Sequence, residues 1–318
     1  EHSIAVLFPG QGTQRVGMAA WLLKISTGRS LFDMASNLLG YSLADLCTQG
    51  PQEKLDAPLF SQTAIYVCSL VAIEVAKREI PELLQHVKTA AGFDLGEYSA
   101  LAYGGAFSFE DGLKLVKARA DAIYAAARSQ SVRGGMAFIS GITDDILQSC
   151  LDQAAEACES GRAFIASYIF HKGRTCSGDL EVLVKTCDLA LAAGANDAKM
   201  LNASGPLHSP YMEGMESKLA QVLNEVHIQM PSISVYSNVT GKVYTSVEEI
   251  RKLLLRQLLE PVRWEQSMSD LIAGGHSRYI EPGPGKQLKA MLRRISPSAW
   301  STMITLEERC CERDKLYV

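Results

Sequence analysis

Short apolar runs that end near glycine and lead directly into helical segments dominate the sequence. The first run, Ser3–Phe8, is followed by Pro9 and Gly10, and a second run covers Val87–Phe93. Continuous apolar runs of this length are typical of strands that are buried on both faces of a parallel sheet. Because strands alternate with helices, the pattern predicts an α/β fold in which helices cover both faces of a mostly parallel sheet.

Residues 133–202 follow a different pattern. They read as strand, helix, strand, strand, helix and strand, which is the order of the split βαβ unit of ferredoxin-like folds. The block lies between two stretches of α/β pattern, so an insertion that leaves the outer core intact is the economical interpretation. We predict a large domain of residues 1–128 and 203–318, and an inserted small domain of residues 129–202.

Composition argues against several classes of protein. The 318 residues carry a net charge of −4 and 47% of them are hydrophobic, which excludes intrinsic disorder and disfavours a nucleic-acid partner. The longest apolar stretch, Ile65–Ala76, is too short and too polar to span a bilayer, so no membrane partner is expected. The eight cysteines form no C-x-x-C pair, and we expect no metal site.

The turn Gly92-Phe93-Asp94-Leu95-Gly96 has the frame of a nucleophile elbow between a strand and a helix. Its two glycines let the backbone turn sharply without Cβ clashes. The central side chain is then held at a helix N-terminus, where backbone N–H groups can stabilise an oxyanion. The centre is Asp94, where this frame usually has serine. Taken alone, the glycine spacing fits an ordinary strand–helix turn equally well.

Seven motifs in order make the sequence similar to malonyl-CoA:acyl-carrier-protein transacylases, from about Ser3 to Arg294. The motifs are Phe8-Pro-Gly-Gln-Gly-Thr-Gln14, Ala91–Ala100, Val116-Lys-Ala-Arg119, Leu207-His208-Ser209, Tyr236-Ser-Asn-Val-Thr-Gly241, Pro261-Val-Arg-Trp264 and Glu281-Pro-Gly-Pro-Gly285. The resemblance implies an α/β-hydrolase-like large domain, built on a parallel sheet, with an inserted ferredoxin-like small domain.

The same resemblance implies malonyl transfer from coenzyme A to an acyl carrier protein in fatty-acid biosynthesis. A serine of such enzymes carries the malonyl group as an ester before the thiol of the carrier protein takes it. The expected partners are malonyl-CoA and acyl carrier protein, with the coenzyme A thioester as substrate, no further cofactor and a monomeric state. Phe93, where bacterial members have His, indicates the mitochondrial branch and hence the mitochondrial matrix. The sequence begins at Glu1, and we expect its N-terminus to be truncated.

The resemblance assigns catalytic roles to four further residues. His208 is the expected general base, and the backbone carbonyl of Arg263 is expected to orient it. The backbone N–H groups of Gln11 and Leu95 are expected to form an oxyanion hole.

Substrate and carrier contacts are assigned in the same way. Arg119 is expected to pair with the free carboxylate of malonate, because its fork of donors suits a planar carboxylate. Ser167, where relatives commonly have Asn, and Arg263 are also expected in the substrate site. Carrier proteins are acidic, so we expect a basic docking patch on a C-terminal helix, formed by Lys286, Lys289, Arg293 and Arg294. An ordinary solvent-exposed helix face would explain these four basic residues equally well.

Asp94 leaves three functional hypotheses open. In the first, the chain is an impaired transacylase, because a carboxylate cannot carry the oxygen ester, and Asp94 near His208 would hold the imidazole protonated. In the second, Asp94 is itself the nucleophile, and a mixed anhydride makes the protein an acyl-CoA hydrolase. In the third, the chain is a non-catalytic module that binds acyl-CoA or a carrier protein.

Overall fold

The structure is a computed structural model that describes residues 3–128, 134–158, 161–202 and 205–314. The described strands are β1 (Ile4–Phe8), β2 (Val87–Gly92), β3 (Gly134–Ser140), β4 (Ala163–Phe170), β5 (Gly173–Asp179), β6 (Asp197–Leu201), β7 (Ser234–Val235), β8 (Arg278–Glu281) and β9 (Met303–Thr305). The described helices are α1 (Ser26–Leu39), α2 (Leu43–Gln49), α3 (Gln52–Asp56), α4 (Pro58–Glu79), α5 (Gly96–Tyr103), α6 (Phe109–Arg128), α7 (Asp144–Ala157), α8 (Leu180–Ala192), α9 (Ser217–Glu225), α10 (Val247–Arg256), α11 (Trp264–Ala273), α12 (Gln287–Ile295), α13 (Pro297–Ser301) and α14 (Leu306–Asp314).

Five strands form a parallel sheet in the order β7-β2-β1-β8-β9. β1 lies in the middle of this sheet and all of its residues are buried, as expected for a strand with helices on both faces. Phe8 at the end of β1 pairs with Gly92 at the end of β2. The segments that follow these two strands therefore emerge side by side at one edge of the sheet, where α/β folds place their binding sites.

A second sheet is antiparallel, with the strand order β4-β5-β3-β6. With α7 and α8 it forms the split βαβ arrangement, which confirms the ferredoxin-like prediction. Buried residues of this sheet and its two helices form a core of their own. The predicted domain boundaries fall at or beside residues 129–133 and 203–204, outside the described part of the chain, and remain a prediction.

β4 connects the second sheet to the rest of the molecule. The N–H of Tyr168 donates to the carbonyl of Val262 at 2.8 Å, and the N–H of Val262 donates to the carbonyl of Ala166 at 2.9 Å. Arg174 of β5 adds an ion pair with Glu265 of α11 at 2.9 Å. The two sheets are thus bridged through the segment that leads into α11.

Helix α4 is longer than the apolar stretch seen in the sequence. It has 22 residues, so by length and composition it could cross a membrane, and the expectation that this segment is too short is wrong. However, 83% of its most apolar window is buried inside the protein, which is the property of a core helix.

The chain beyond β8 also differs from expectation. The pattern predicts Tyr279–Ile280 as the last strand, but β9 follows it and pairs with β8 in parallel. The basic helix α12 is therefore not C-terminal, because α13, β9 and α14 come after it. At the other end, α1, α2 and α3 occupy a segment for which no element was predicted.

Candidate active site

Asp94 lies on the turn between β2 and α5, at the edge of the parallel sheet where the strands end. Its φ of 54° is in the left-handed region that non-glycine residues rarely adopt. Both neighbouring glycines are sterically required. A Cβ at Gly92 would lie 1.9 Å from the carbonyl carbon of Gly96, and one at Gly96 would lie 2.0 Å from the carbonyl oxygen of Phe8. This is the sharp turn of a nucleophile elbow, as predicted.

The elbow brings Asp94 together with Arg119 of α6 and with His208. Oδ1 of Asp94 accepts a hydrogen bond from Nη2 of Arg119 and lies 3.0 Å from Nε2 of His208. All three side chains are buried, with exposed fractions of 7% for Asp94, 0% for Arg119 and 3% for His208. The three groups predicted to share one site are therefore in direct contact.

The carboxyl group of Asp94 is ionised at neutral pH. Burial raises its pKa, but the positive charge of Arg119 and the hydrogen bond from His208 outweigh burial and hold the pKa below the ordinary value of 3.8. A hydrogen bond with the backbone of Leu95 acts in the same direction. One of the two N–H groups predicted for the oxyanion hole thus already faces a negative charge.

Gln257 orients the imidazole of His208. Nδ1 of His208 lies 2.6 Å from the backbone oxygen of Gln257. The prediction that the carbonyl of Arg263 does this is wrong, because that carbonyl accepts from the N–H of Ser267 at 3.1 Å inside the first turn of α11. A carbonyl lies at Nδ1 and a carboxylate at Nε2, so both ring nitrogens of His208 face hydrogen-bond acceptors.

The guanidinium of Arg119 has a partner at each of its three nitrogens. Nε donates to Oε1 of Gln257 at 3.2 Å, Nη1 donates to Oε1 of Gln62 at 2.9 Å, and Nη2 donates to Asp94. The ring centroid of Tyr98 lies 5.8 Å from the guanidinium carbon. The guanidinium is therefore fixed in orientation, and the direction in which it could meet a substrate carboxylate is occupied by Asp94.

The loop after β1 lies beside the elbow and carries Gln11. Oε1 of Gln11 accepts from Nε2 of Gln62 at 3.2 Å, and its backbone carbonyl accepts from Nε2 of Gln287 at 3.2 Å. Gln62 thus connects Gln11 to Arg119. The oxyanion-hole role of the Gln11 and Leu95 N–H groups remains a prediction.

Ser167 lies at the joint between the two sheets. It is buried in β4 and forms a parallel bridge with Val262. Among the described residues, no hydrogen bond joins it to Asp94, Arg119 or His208. Its place in a substrate site therefore remains a prediction.

The four basic residues predicted to bind a carrier protein lie together on or just before α12, but two of them are paired. Lys286 and Lys289 both form ion pairs with Glu308, the latter at 3.1 Å. Arg293 lies over the ring of Trp300 and Arg294 over the ring of Phe170. The surface therefore carries less free positive charge than expected, because α14 returns an acidic side chain to it.

Sequence reasoning missed a set of polar residues that surround the site. These residues are Gln62, Glu97, Asn238, Tyr244 and Gln257. Glu97 and Asn238 stand inside recognised motifs, and a glutamine in the apolar helix α4 is itself a signal. Gln257 has no local signal, because tertiary packing alone brings it to Arg119 and His208. The described residues include no group of three or more His, Cys, Asp and Glu placed to hold a metal ion.

Comparison with known proteins identifies the family. A family model described as an acyl transferase domain matches residues 6–299. The chain belongs to the acyltransferase family. Its relatives include the mitochondrial malonyl-CoA-acyl carrier protein transacylase of Mus musculus, 38% identical over 93% of this chain and 80% of the relative. The malonyl CoA-acyl carrier protein transacylase of Bacillus subtilis is 34% identical over 92% of this chain and 90% of the relative.

Solved structures agree with this acyltransferase in fold. The malonyl CoA-acyl carrier protein transacylase of Coxiella burnetii has a TM-score of 0.88 at 30% identity, over 96% of this chain and 94% of the other. A chain from the structure of a type II PKS acyl-carrier protein in complex with its malonyl-transacylase has a TM-score of 0.86 at 30% identity, over 95% of this chain and 94% of the other. The predicted family and fold class are thereby confirmed.

Proposed function

We propose that this acyltransferase has the binding apparatus for malonyl transfer between coenzyme A and an acyl carrier protein, and that its transfer step is impaired. The contact of Asp94 with both Arg119 and His208 carries the proposal. The relatives named as malonyl-CoA-acyl carrier protein transacylases support the substrate pair, and their mitochondrial members support a mitochondrial role in fatty-acid synthesis.

Each part of the site has a clear task in the form of the protein that has serine at position 94. Nε2 of His208 would take the proton of the hydroxyl while the carbonyl of Gln257 holds Nδ1. Arg119 would bind the free carboxylate of the malonyl group. The N–H groups of Leu95 and Gln11 would stabilise the oxyanion at the start of α5. The hydroxyl oxygen would attack the thioester carbonyl, the C–S bond would break, and coenzyme A would leave as its thiol with the proton from His208. The malonyl ester would then persist until the thiol of a carrier protein attacks it and restores the hydroxyl.

Asp94 interferes with three of these steps. A carboxylate does not form the oxygen ester that stores the acyl group. Its contact with His208 occupies Nε2, the nitrogen that would otherwise take the proton of a hydroxyl. Its charge also occupies Arg119, so an incoming malonyl carboxylate meets a neutralised guanidinium and a repelling neighbour.

The geometry gives less support to a hydrolase that uses Asp94 as its nucleophile. The carboxylate is bound by a guanidinium, and its lowered pKa reflects a stabilised and hence less nucleophilic anion. If that hydrolase exists, water attacks the mixed anhydride, and ¹⁸O from labelled water enters Asp94 when the Asp94 carbonyl is attacked or free malonate when the malonyl carbonyl is attacked. We expect neither label above the uncatalysed background.

The decisive experiment is intact-protein mass spectrometry after incubation with malonyl-CoA. We expect no adduct on the unchanged chain and one malonyl group on the variant Asp94→Ser, which then passes to an acyl carrier protein. The double variant Asp94→Ser with His208→Ala is the control and should label far more slowly. If Asp94→Ser folds but never gains a malonyl group, the proposal is wrong, and carrier-protein binding without transfer would then favour a non-catalytic binding module.

A further inference from the structure

Glu97 is a buried acidic residue that the proposed chemistry does not use. It lies in the first turn of α5 and is 0% exposed. Oε1 of its carboxylate accepts from the hydroxyl of Tyr244 and, at 3.1 Å, from the backbone N–H of Asn238. Oε2 accepts from Nε2 of Gln257 at 2.5 Å. The carboxylate is therefore surrounded by donors and touches no group that would meet the substrate.

Gln257 connects this carboxylate to the site. Its Nε2 donates to Glu97 and to the backbone oxygen of Asp94 at 2.9 Å, while its Oε1 accepts from Nε of Arg119. Its backbone oxygen faces Nδ1 of His208. One residue thus contacts the elbow, the guanidinium and the imidazole.

Only one orientation of the Gln257 amide satisfies all of these contacts. A carboxylate accepts hydrogen bonds and cannot donate, so the NH₂ group of Gln257 must face Glu97. The amide oxygen is then left to face Arg119, whose Nε–H can only donate. With the amide turned over, the NH₂ group would face Nε–H of Arg119, and a buried donor would lose its partner.

We propose that Glu97 is a positioning residue whose carboxylate fixes the amide of Gln257 and thereby aligns the guanidinium of Arg119. The effect of this alignment on malonyl transfer rests on the proposed function, because Arg119 binds the malonyl carboxylate in that scheme. The alignment itself is independent of the proposed function, since Arg119 and Gln257 are in contact in the unchanged chain.

The protonation of Glu97 offers a way to observe this alignment. Burial raises the pKa of Glu97 to about 7, against the lowering effect of its hydrogen bonds and of Arg119. The titratable groups that face it are the phenols of Tyr244 and Tyr98, the guanidinium of Arg119 and, beyond Gln257, the carboxylate of Asp94. A proton on Oε2 would face the amide nitrogen of Gln257, which is also a donor, so protonation favours turning the amide away from Arg119.

In the test, ¹H–¹⁵N NMR follows the Nε–Hε signal of Arg119 in the unchanged chain as the pH is varied. This signal is assigned by its absence from the spectrum of Arg119→Lys. We expect this signal to shift with a midpoint near pH 7, and to lose the shift in Glu97→Gln. Gln257→Leu retains Glu97 and must lose the shift as well, so it decides the matter if Glu97→Gln does not fold. Persistence of the shift in either folded variant, or its absence in the unchanged chain, overturns the proposal.

A kinetic experiment in the Asp94→Ser background tests the consequence for transfer. There we expect Glu97→Gln to raise KM for malonyl-CoA by about tenfold, the size of one lost hydrogen bond to a charged group. Ser99→Ala in the same helix is the control, because it changes a buried side chain whose hydroxyl has no hydrogen-bond partner among the described residues, and KM should change less than about twofold. Equal effects of the two variants would assign Glu97 a purely structural role. If Asp94→Ser shows no transfer at all, the proposed function fails and the NMR result still decides the role of Glu97.

Discussion

At the scale of single residues, Asp94 stabilises the folded site through its ion pair with Arg119, and in the proposed function it also prevents acyl transfer. A fully buried guanidinium with an unpaired nitrogen is costly, and Asp94 supplies both the missing acceptor and the opposite charge. In the proposed function, the residue that prevents ester formation is thus also a partner that stabilises the folded site. Stability and activity are expected to oppose each other at this position.

Replacement of Asp94 with serine should therefore lower the free energy of unfolding. We expect a loss of about 3 kcal/mol at pH 7, because Arg119 is left buried without its charged partner. Chemical denaturation of the two proteins measures the difference. Addition of free malonate should restore part of it in Asp94→Ser only, and an equal effect of malonate on both proteins would contradict the assignment of Arg119.

The same difference should depend on pH. Since the folded-state pKa of Asp94 lies below its ordinary value of 3.8, its ionised form stabilises the fold above about pH 4, and this contribution disappears as the pH falls through the folded-state pKa. The gap between the unchanged chain and Asp94→Ser should narrow below pH 4. Denaturation curves at a series of pH values check this, and a gap that widens in acid would be incompatible with the ion pair.

The sequence was sufficient for some residues of the site and insufficient for others. The glycine spacing predicted the elbow, and the motifs placed Arg119 and His208 together, because these features follow from local backbone geometry and from resemblance. The orienting carbonyl was assigned to Arg263 in error. Which carbonyl reaches an imidazole depends on tertiary packing, and that of Gln257 arrives from the end of α10 without any local pattern.

At the scale of elements, helix α5 packs against β1 and β2 at backbone distance. Glycine at position 96 permits this approach, since a side chain there would meet the carbonyl of Phe8. The helix N-terminus is thereby held at the point where the oxyanion is expected. Strands buried on both faces and the split βαβ block were predictable from apolar runs and their order. The helices α1, α2 and α3 were not predicted, since their positions are set by packing against α4 and against one another.

We expect Gly96→Ala to displace α5 and to destabilise the protein by roughly 3 kcal/mol or more, through overpacking against main chain that cannot move aside. Thermal unfolding measures the loss. Ser99→Ala in the same helix is the control, because the hydroxyl of Ser99 is buried with no hydrogen-bond partner in the described part of the chain, and its removal should be neutral or stabilising. A Gly96→Ala protein as stable as Ser99→Ala would show that close packing at the elbow is not required.

At the scale of the whole molecule, α14 returns to the surface of α12 and brings Glu308 against Lys286 and Lys289. These contacts lower the pKa of Glu308 to about 2, chiefly through the hydrogen bond from Lys286. The ion pairs are largely exposed, so they add little to stability. They do reduce the positive field that would attract an acidic partner.

Removal of that acidic side chain should strengthen carrier-protein binding if α12 is the docking surface. We expect Glu308→Gln to lower the apparent KM of the Asp94→Ser protein for acyl carrier protein, and Lys286→Glu with Lys289→Glu to raise it. Both effects should weaken as salt is added. Lys114→Glu with Lys117→Glu on α6 carries the same charge change as the double lysine variant at another surface and is the control. Unchanged KM values in the α12 variants would place docking on another surface.

The position of the second sheet in the chain has a further consequence. Arg119 precedes this sheet in sequence, on α6, and His208 follows it, yet the two side chains meet at Asp94. The antiparallel sheet, with α7 and α8, is thus inserted in the sequence between the two segments that supply Arg119 and His208. During evolution such an inserted block can be exchanged or reshaped while Asp94, Arg119 and His208 stay on segments that the exchange does not touch.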